Sequence, residues 1–558
     1  MPTPEAASVR DGDSPSARVT FEEYTYWAKI TRGEEEVKAR QSTLDVATAG
    51  AVTGGADEKH KEASVQQSEA EAPKAADAAA PQEEEGSVQV ERGRPRTTGW
   101  IAVFFLITTD ILGPMSTPWA FAQTGYGPGV ALFTVFGALA AYSGYILWDL
   151  YLGLDSDRYP LLTLGDVFDR LFGAVPRRLM NGMLALQMLL FVSHVILESG
   201  QGISQISQGA EGNRGDGLCF IVCMLLYAVV GLAVSQIKSL RGVAWLSNAA
   251  VLGVVVYYPP NFKATQASYG AAFGPGPIRT FAGSPPAGLA SGGTGFVAAL
   301  NGLNMAVYAY GGCMAFIAFL AEMRHPLEFW KSLLCGQVFI YALYLFFGMF
   351  IYAHQGQFAF NPVMQGLSPY GFQTATNVMF LFSGLIASTL YSNVGFKSVY
   401  SDLFEGPLGF PPLNGGRRGR LAWAACMLLF WGIAFVLAAA VPHLSFVTGF
   451  VGALLILTLT YTAPAVVSLA FRLQSDALAE GEASFDPTTR RAVARVDAGW
   501  ARYWRAYKKR PWLNSFNVLY AVGGLVTTGL GVYSSVNGLI AAFGGKSVAT
   551  SFGCKPPV

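Results

Sequence analysis

The sequence predicts an all-α polytopic membrane protein of about eleven transmembrane helices, and three observations predict it. Apolar runs of roughly 20 residues, the length that spans a bilayer, recur along the chain. Of its 558 residues 52% are hydrophobic and only 13% charged, with a mean hydropathy of +0.35; a soluble domain carries about 25% charged residues. Basic residues also fall on alternate connections between the runs, as the positive-inside rule requires.

The elements follow in order. Residues 1–97 are rich in Ala, Glu, Ser and Gly and lack apolar periodicity beyond about Gly33, which predicts a cytoplasmic, largely disordered tail. Within it Thr20-Phe21-Glu22-Glu23 reads as a capping box. Phe21, Tyr24, Trp27 and Ile30 then recur at helical spacing, predicting an amphipathic helix near 20–31 that either docks on the membrane body or forms transiently. Residues 98–545 form the membrane domain. Its spans are predicted near 99–122, 128–151, 179–207, 217–235, 241–258, 294–320, 331–353, 374–398, 421–441, 445–471 and 513–542. The first apolar run starts near Trp100, too late for a cleavable signal peptide. The segment 259–293 reads as an irregular external connection. In the loop 472–511, Val493, Val496, Trp500, Trp504 and Tyr507 share a helical face opposite Arg and Lys, which predicts an interfacial helix on the cytoplasmic leaflet. A short tail, 546–558, ends the chain.

Orientation follows from charge. With Arg92, Arg94 and Arg96 inside, so are Arg158, Arg170, Arg177 and Arg178, then Lys238 and Arg241, Arg324 and Lys331, Lys397 and Arg417, and the basic loop before the last span. The other connections hold only Arg214, Lys263 and Arg279. This predicts an odd number of crossings, a cytoplasmic N-terminus and an external C-terminus. Cys219, Cys223, Cys313, Cys335 and Cys426 fall in apolar runs and Cys554 in the tail. Cys219 and Cys223 read as small core residues, and no disulfide framework or metal-ligand spacing is implied.

Two spans carry helix-breaking residues. The first contains Gly113-Pro114-Met115-Ser116-Thr117-Pro118, whose prolines remove backbone donors. The sixth contains Tyr308-Ala309-Tyr310-Gly311-Gly312-Cys313, whose glycine pair favours unwinding. Backbone groups freed in lipid must be satisfied by protein, water or ligand. The breaks occupy matching places in two five-helix halves, 99–258 and 294–471, which points to an inverted repeat with a midplane site. Unpaired N–H groups near Met115, Ser116 and Thr117 suit a carboxylate, and carbonyls around Tyr308 to Gly312 suit an ammonium. A zwitterionic amino acid fits both; a sugar uses neither.

Ionisable groups inside spans are costly and point to function. Asp110 precedes the first break, as a proton acceptor, a cation ligand or a structural acid. His194 and Glu198, four apart, share a helix face, as a proton relay or a structural pair. Glu322 and Arg324 suit a gate salt bridge. Ser388, Thr389 and Ser392 either line a sodium site or serve helix packing. There is no phosphate loop, metal motif or nucleophile constellation, so the chain is not read as an enzyme, and a net charge of +1 gives no sign of nucleic-acid binding.

The run Ile111 to Gly125 resembles the first-helix signature of the amino acid/auxin permease family. Ala309-Tyr310-Gly311-Gly312, followed by Ala321-Glu322-Met323-Arg324-His325-Pro326 and Phe329-Trp330-Lys331-Ser332, is similar to its sixth-helix signature. Leu455 to Pro464 is similar to the tenth, and Glu22-Glu23-Tyr24 resembles the N-tails of fungal members. Ile111 replaces the first glycine of a common Gly-x-Gly, and Cys313 replaces a common polar residue. The resemblance implies a leucine-transporter-type fold of five plus five helices with one extra. It also implies amino acid transport at a plasma or vacuolar membrane, the plasma membrane preferred, with no cofactor and a proton rather than sodium as coupling ion. A non-transporting amino acid sensor is the alternative from another class; a channel would show symmetric polar rows, which the sequence lacks.

Overall fold

The structure is a computed structural model that describes residues 19–53, 96, 98–209, 217–236, 277–286, 295–366, 370–400, 404, 409–411, 416–440, 444–478, 485–487, 499–543 and 553–554. The fifth predicted span, Val493, Val496 and most of the C-terminal tail lie outside the described residues. Among the described residues nine helices are long and apolar enough to cross a membrane. A tenth apolar helix, of 16 residues, is shorter.

The chain opens with α1, Phe21–Thr53. The Thr20 hydroxyl accepts from Glu23 N at 3.3 Å. The helix passes Gly33 and so outruns the predicted 20–31. Glu34 and Lys38, and Glu36 and Arg40, stand at the i,i+4 spacing that supports a helix without an apolar face. The first span is α2, Trp100–Ile111, a 3₁₀ turn Pro114–Ser116, and α3, Thr117–Thr124. Then come α4, Tyr126–Leu154; α5, Leu164–Phe172, opened by a Thr163/Asp166 capping box; α6, Ala174–Gln208; and α7, Phe220–Ser235. The sixth span is α8, Phe296–Ala309, a 3₁₀ turn Cys313–Ala315, and α9, Phe316–Glu322. The rest are α10, Phe329–Gln355; α11, Tyr370–Val399; and α12, Gly416–Ala440. The tenth span is α13, Leu444–Val451, two π-helical turns at Gly452–Ile456 and Thr458–Thr462, and α14, Ala463–Ser475. The chain closes with α15, Trp500–Lys509, and α16, Pro511–Phe543.

Small residues set the close approaches. A Cβ on Gly384 or Gly395 of α11 would come within 3.0 Å of Val195 or 2.6 Å of Met188 on α6. Gly125, between α3 and α4, has φ +80°, and a Cβ there would lie 1.9 Å from Gly283 O. Residues 277–286 therefore seat on this corner, with Tyr126 N donating to Phe281 O and Gly127 N to Ala282 O. The last helix is tied in by Asn304 of α8, whose Nδ2 donates to Gly531 O and to the Ser534 and Ser535 hydroxyls.

α1 docks across the end of α4 through charge and aromatic contacts. Arg32 and Arg96 both pair with Asp155 Oδ2, at 2.7 and 2.8 Å, and Arg96 also reaches Glu35 at 2.8 Å. Asp155 is 1% exposed, and its Oδ1 accepts from Leu161 N. Tyr159 donates to Glu23 at 2.7 Å, and Phe21 packs edge-on against Phe471. α15 is rich in aromatic and basic residues. Trp500 and Trp504 are exposed, Arg502 is buried, and Arg505 donates to Ala477 O.

One expectation is corrected. Cys219 is joined to Cys554 by a disulfide. Cys219 is the N-cap of α7 rather than a residue inside the apolar run, and the tail returns to it, with Phe220 N donating to Cys554 O. A linear reading of the apolar run does not reveal that return.

Candidate functional site

The first break forms because Pro114 and Pro118 supply no N–H to the helical ladder. Leu112 leaves the helix at ψ 94° and Gly113 follows at φ −136°, ψ 70°. Thr117 caps the break by donating to Pro114 O at 2.7 Å. In the second break, Tyr310, Gly311 and Gly312 separate α8 from the 3₁₀ turn, with Gly312 at φ −179°, ψ −14°. The two breaks touch: a Cβ on Gly312 would lie 2.5 Å from the Ile111 side chain and 2.7 Å from Asp110 Oδ2. Behind Gly311 stands Ile456, whose Cγ2 would be 2.6 Å from an added Cβ. Ile456 belongs to the first π turn of the tenth span, a distortion of the kind that often marks a functional position.

Between the breaks, α6 and α11 lies a cavity of about 130 Å³. Of the residues singled out from sequence, Asp110, Gly113, Met115, Ser116, His194, Glu198, Tyr308 and Gly311 line it. Thr117, Tyr310, Gly312 and Cys313 are not among the lining residues. Tyr310 turns to α4, where its ring packs against Phe133, and Cys313 lies 3.4 Å from Ala140 O, also on α4. On α11 the face toward the cavity is Phe380, Ser383, Gly384, Ala387 and Tyr391. Ser388 and Ser392 instead donate to carbonyls of their own helix, Leu385 O and Thr389 O. Glu322 and Arg324 lie away from the cavity, at the end of α9, where their backbones pair with Thr98 through Thr98 N to Glu322 O and Arg324 N to Thr98 O.

The polar groups of the cavity are partly paired. Tyr391 OH lies 2.5 Å from Asp110 Oδ1 and 3.0 Å from Asp110 O. Asp110 Oδ2 and the Tyr308 hydroxyl are buried with no hydrogen-bond partner among the described residues. His194 Nε2 is 3.5 Å from Glu198 Oε2, and its Nδ1 is 3.2 Å from the Thr448 hydroxyl on α13. The imidazole thus links the third span to the tenth. Outside the lining, Tyr344 of α10 reaches both breaks: its hydroxyl is 2.5 Å from Ile111 O and 2.7 Å from Ala309 O, and accepts from Gly113 N at 3.1 Å.

Tyr344, Tyr391 and Thr448 were not legible as site residues. A tyrosine inside an apolar run signals that its hydroxyl needs a partner, but the partner is on another helix. Chemically the arrangement brings the backbone of two interrupted helices together beside a buried carboxylate, with Tyr344 and short-range bonds engaging Gly113 N, Tyr308 O and Ala309 O. No metal-binding cluster occurs among the described residues.

Residues 96–483 match the family model described as transmembrane amino acid transporter protein. The chain is 23% identical over 491 residues to the N amino acid transport system protein of Neurospora crassa, covering 85% of this chain and 91% of that protein. It is 23% identical over 379 residues to a transmembrane transporter of Fusarium pseudograminearum, covering 67% of this chain and 75% of that protein. Among solved structures it is similar to a Na⁺-coupled sialic acid symporter in a substrate-bound outward-open state, at 13% identity and a TM-score of 0.43, covering 79% of this chain and 91% of that one.

Proposed function

The chain belongs to the transmembrane amino acid transporter family, and from that premise we propose that it carries small amino acids across the membrane by proton-coupled symport. The observation that carries this reading is the meeting of two interrupted helices at one buried cavity. Backbone polar groups in a membrane interior must find partners, and a zwitterion supplies both kinds. In this reading the substrate carboxylate meets the amides that lead into α3, where the helix dipole also favours it, and the ammonium meets carbonyls at the end of α8. A cavity of roughly 150 Å³ holds a benzene-sized molecule, so about 130 Å³ suits a small side chain.

Asp110 is the proposed proton carrier. One of its oxygens is held by Tyr391 and the other faces the second break, so its charge state bears on both interrupted helices. His194 and Glu198 form a second station across the cavity. Rocking of the interrupted spans then exposes the cavity to each side in turn. The proposed location is the plasma membrane, with the N-tail cytoplasmic and the C-tail external. The Cys219–Cys554 disulfide supports this orientation: the sequence predicts eight crossings from the fourth span to the eleventh, an even number that returns both cysteines to one side, and disulfides persist on the oxidising side.

The test is uptake of a panel of radiolabelled amino acids into vesicles containing the purified protein, with pH and sodium gradients imposed separately. Accumulation of small amino acids driven by the pH gradient is expected. Binding without accumulation would assign a sensor instead, and accumulation driven by sodium alone would overturn the proton assignment.

A further inference from the structure

Tyr344 does not line the cavity, yet its hydroxyl touches three backbone groups that do the work of the two breaks. Gly113 N donates to it at 3.1 Å, while Ile111 O lies 2.5 Å and Ala309 O 2.7 Å away. Ile111 and Ala309 are the last residues of α2 and α8, where the helical ladder stops and carbonyls are left over. Both residues line the cavity. The Tyr344 ring is fully buried and held edge-on by Phe133 and Tyr310, at 6.1 and 5.2 Å between centroids. Its hydroxyl therefore has a fixed position between the two helix ends.

A phenol carries one proton. Two carbonyl oxygens at hydrogen-bond distance can only share it, and a proton shared in this way satisfies neither as fully as a bond of its own. In a buried site the incompletely satisfied carbonyl is left with a deficit that a second donor would relieve.

We propose that Tyr344 is a positioning residue for the substrate. Its single proton goes to one of the two carbonyls, Ile111 O or Ala309 O, and leaves the other for the substrate ammonium. Binding of the ammonium then commits the proton, so that one substrate group and one hydroxyl together close the ends of both interrupted helices. This rests on the transport reading above and adds to it a residue outside the cavity that sets how tightly the amine is held.

The test compares wild type with Tyr344→Phe in vesicles, using radiolabelled L-alanine and, as a competitor, its N,N,N-trimethyl derivative, which has no N–H. Removing the hydroxyl leaves both carbonyls to the ammonium. The half-saturating alanine concentration is expected to fall roughly threefold to tenfold, the worth of one hydrogen bond, and the maximal rate to fall with it because release slows. The competitor's affinity should not change between the two proteins. A residue that only supports the fold would lower yield and melting temperature without lowering that concentration. An unchanged or raised half-saturating concentration in folded Tyr344→Phe overturns the proposal. Should that variant not fold, wild type decides: the trimethyl compound is expected to compete at least tenfold more weakly than alanine, about the loss of one to two such bonds, and equal competition overturns the proposal. If wild type takes up no amino acid at all, the transport reading fails first and this proposal falls with it.

Discussion

The cavity and the docking site of α1 both bury charged side chains, and they treat them in opposite ways. At the α1 site each oxygen of Asp155 is engaged, one by Arg32 and Arg96 and the other by Leu161 N. At the cavity Asp110 Oδ2 and the Tyr308 hydroxyl have no partner among the described residues, and Glu198 meets a histidine rather than a permanent cation. A buried polar group left unpaired costs free energy. At the cavity a ligand that comes and goes can complete such groups, whereas the Asp155 carboxylate, with both oxygens engaged, fastens α1 to the end of α4. The comparison separates a binding site from a joint of similar composition.

The strongest way to break this comparison is to fill the site. Gly311→Leu forces a side chain against Ile456, where a Cβ alone would already meet three atoms at 2.6 to 3.2 Å. Substrate binding and uptake should be lost while membrane insertion and chromatographic behaviour stay intact; retained binding would move the site elsewhere. Next is Asp110→Asn, which keeps a partner for Tyr391 but removes the titratable group. Accumulation driven by a pH gradient should vanish, while exchange of labelled for unlabelled substrate continues. Full proton-driven uptake in that variant would make Asp110 a structural acid.

Two substitutions sharpen the other half. Asp155→Ala removes the acceptor of Leu161 N and the carboxylate that Arg32 and Arg96 share, leaving the two arginines Glu35 alone between them at the joint. Loss of one partner from a buried pair costs about 3–5 kcal/mol, and about 3 kcal/mol is expected here because Arg96 retains 21% exposure. A lower melting temperature and faster proteolysis within α1 would report it. Glu35→Gln should have the smallest effect, under about 1 kcal/mol. Burial pushes the Glu35 carboxyl above its ordinary value despite Arg32 and Arg96, so its desolvation outweighs their attraction. With a raised folded value, its contribution to docking is greatest at low pH and is lost as pH rises through that value. Proteolysis of α1 in wild type should therefore quicken slightly with rising pH, and the glutamine variant should lack that slope.

Much of the site could be read from single segments. Pro114 and Pro118 announce one break and Gly311-Gly312 the other, because proline and glycine act on the backbone that contains them. His194 and Glu198 share a face by spacing alone. The residues that escaped the sequence act across helices. Tyr391 reaches Asp110, Thr448 reaches His194, and Tyr344 reaches two helix ends at once. Ser388, Thr389 and Ser392 show the converse, for hydroxyls at promising spacing need not face the cavity, and the rotation of α11 about its axis depends on how Gly384 and Gly395 pack on α6.

From the sequence by itself came the helical membrane class, the two interruptions and the polar residues near them, because bilayer thickness and backbone chemistry act locally. Only the tertiary structure decided which groups meet: the breaks against each other, one hydroxyl shared between them, Cys219 joined to Cys554, and α1 fastened by Asp155. Those pairings depend on distances between segments far apart in the chain, which packing sets and periodicity does not encode.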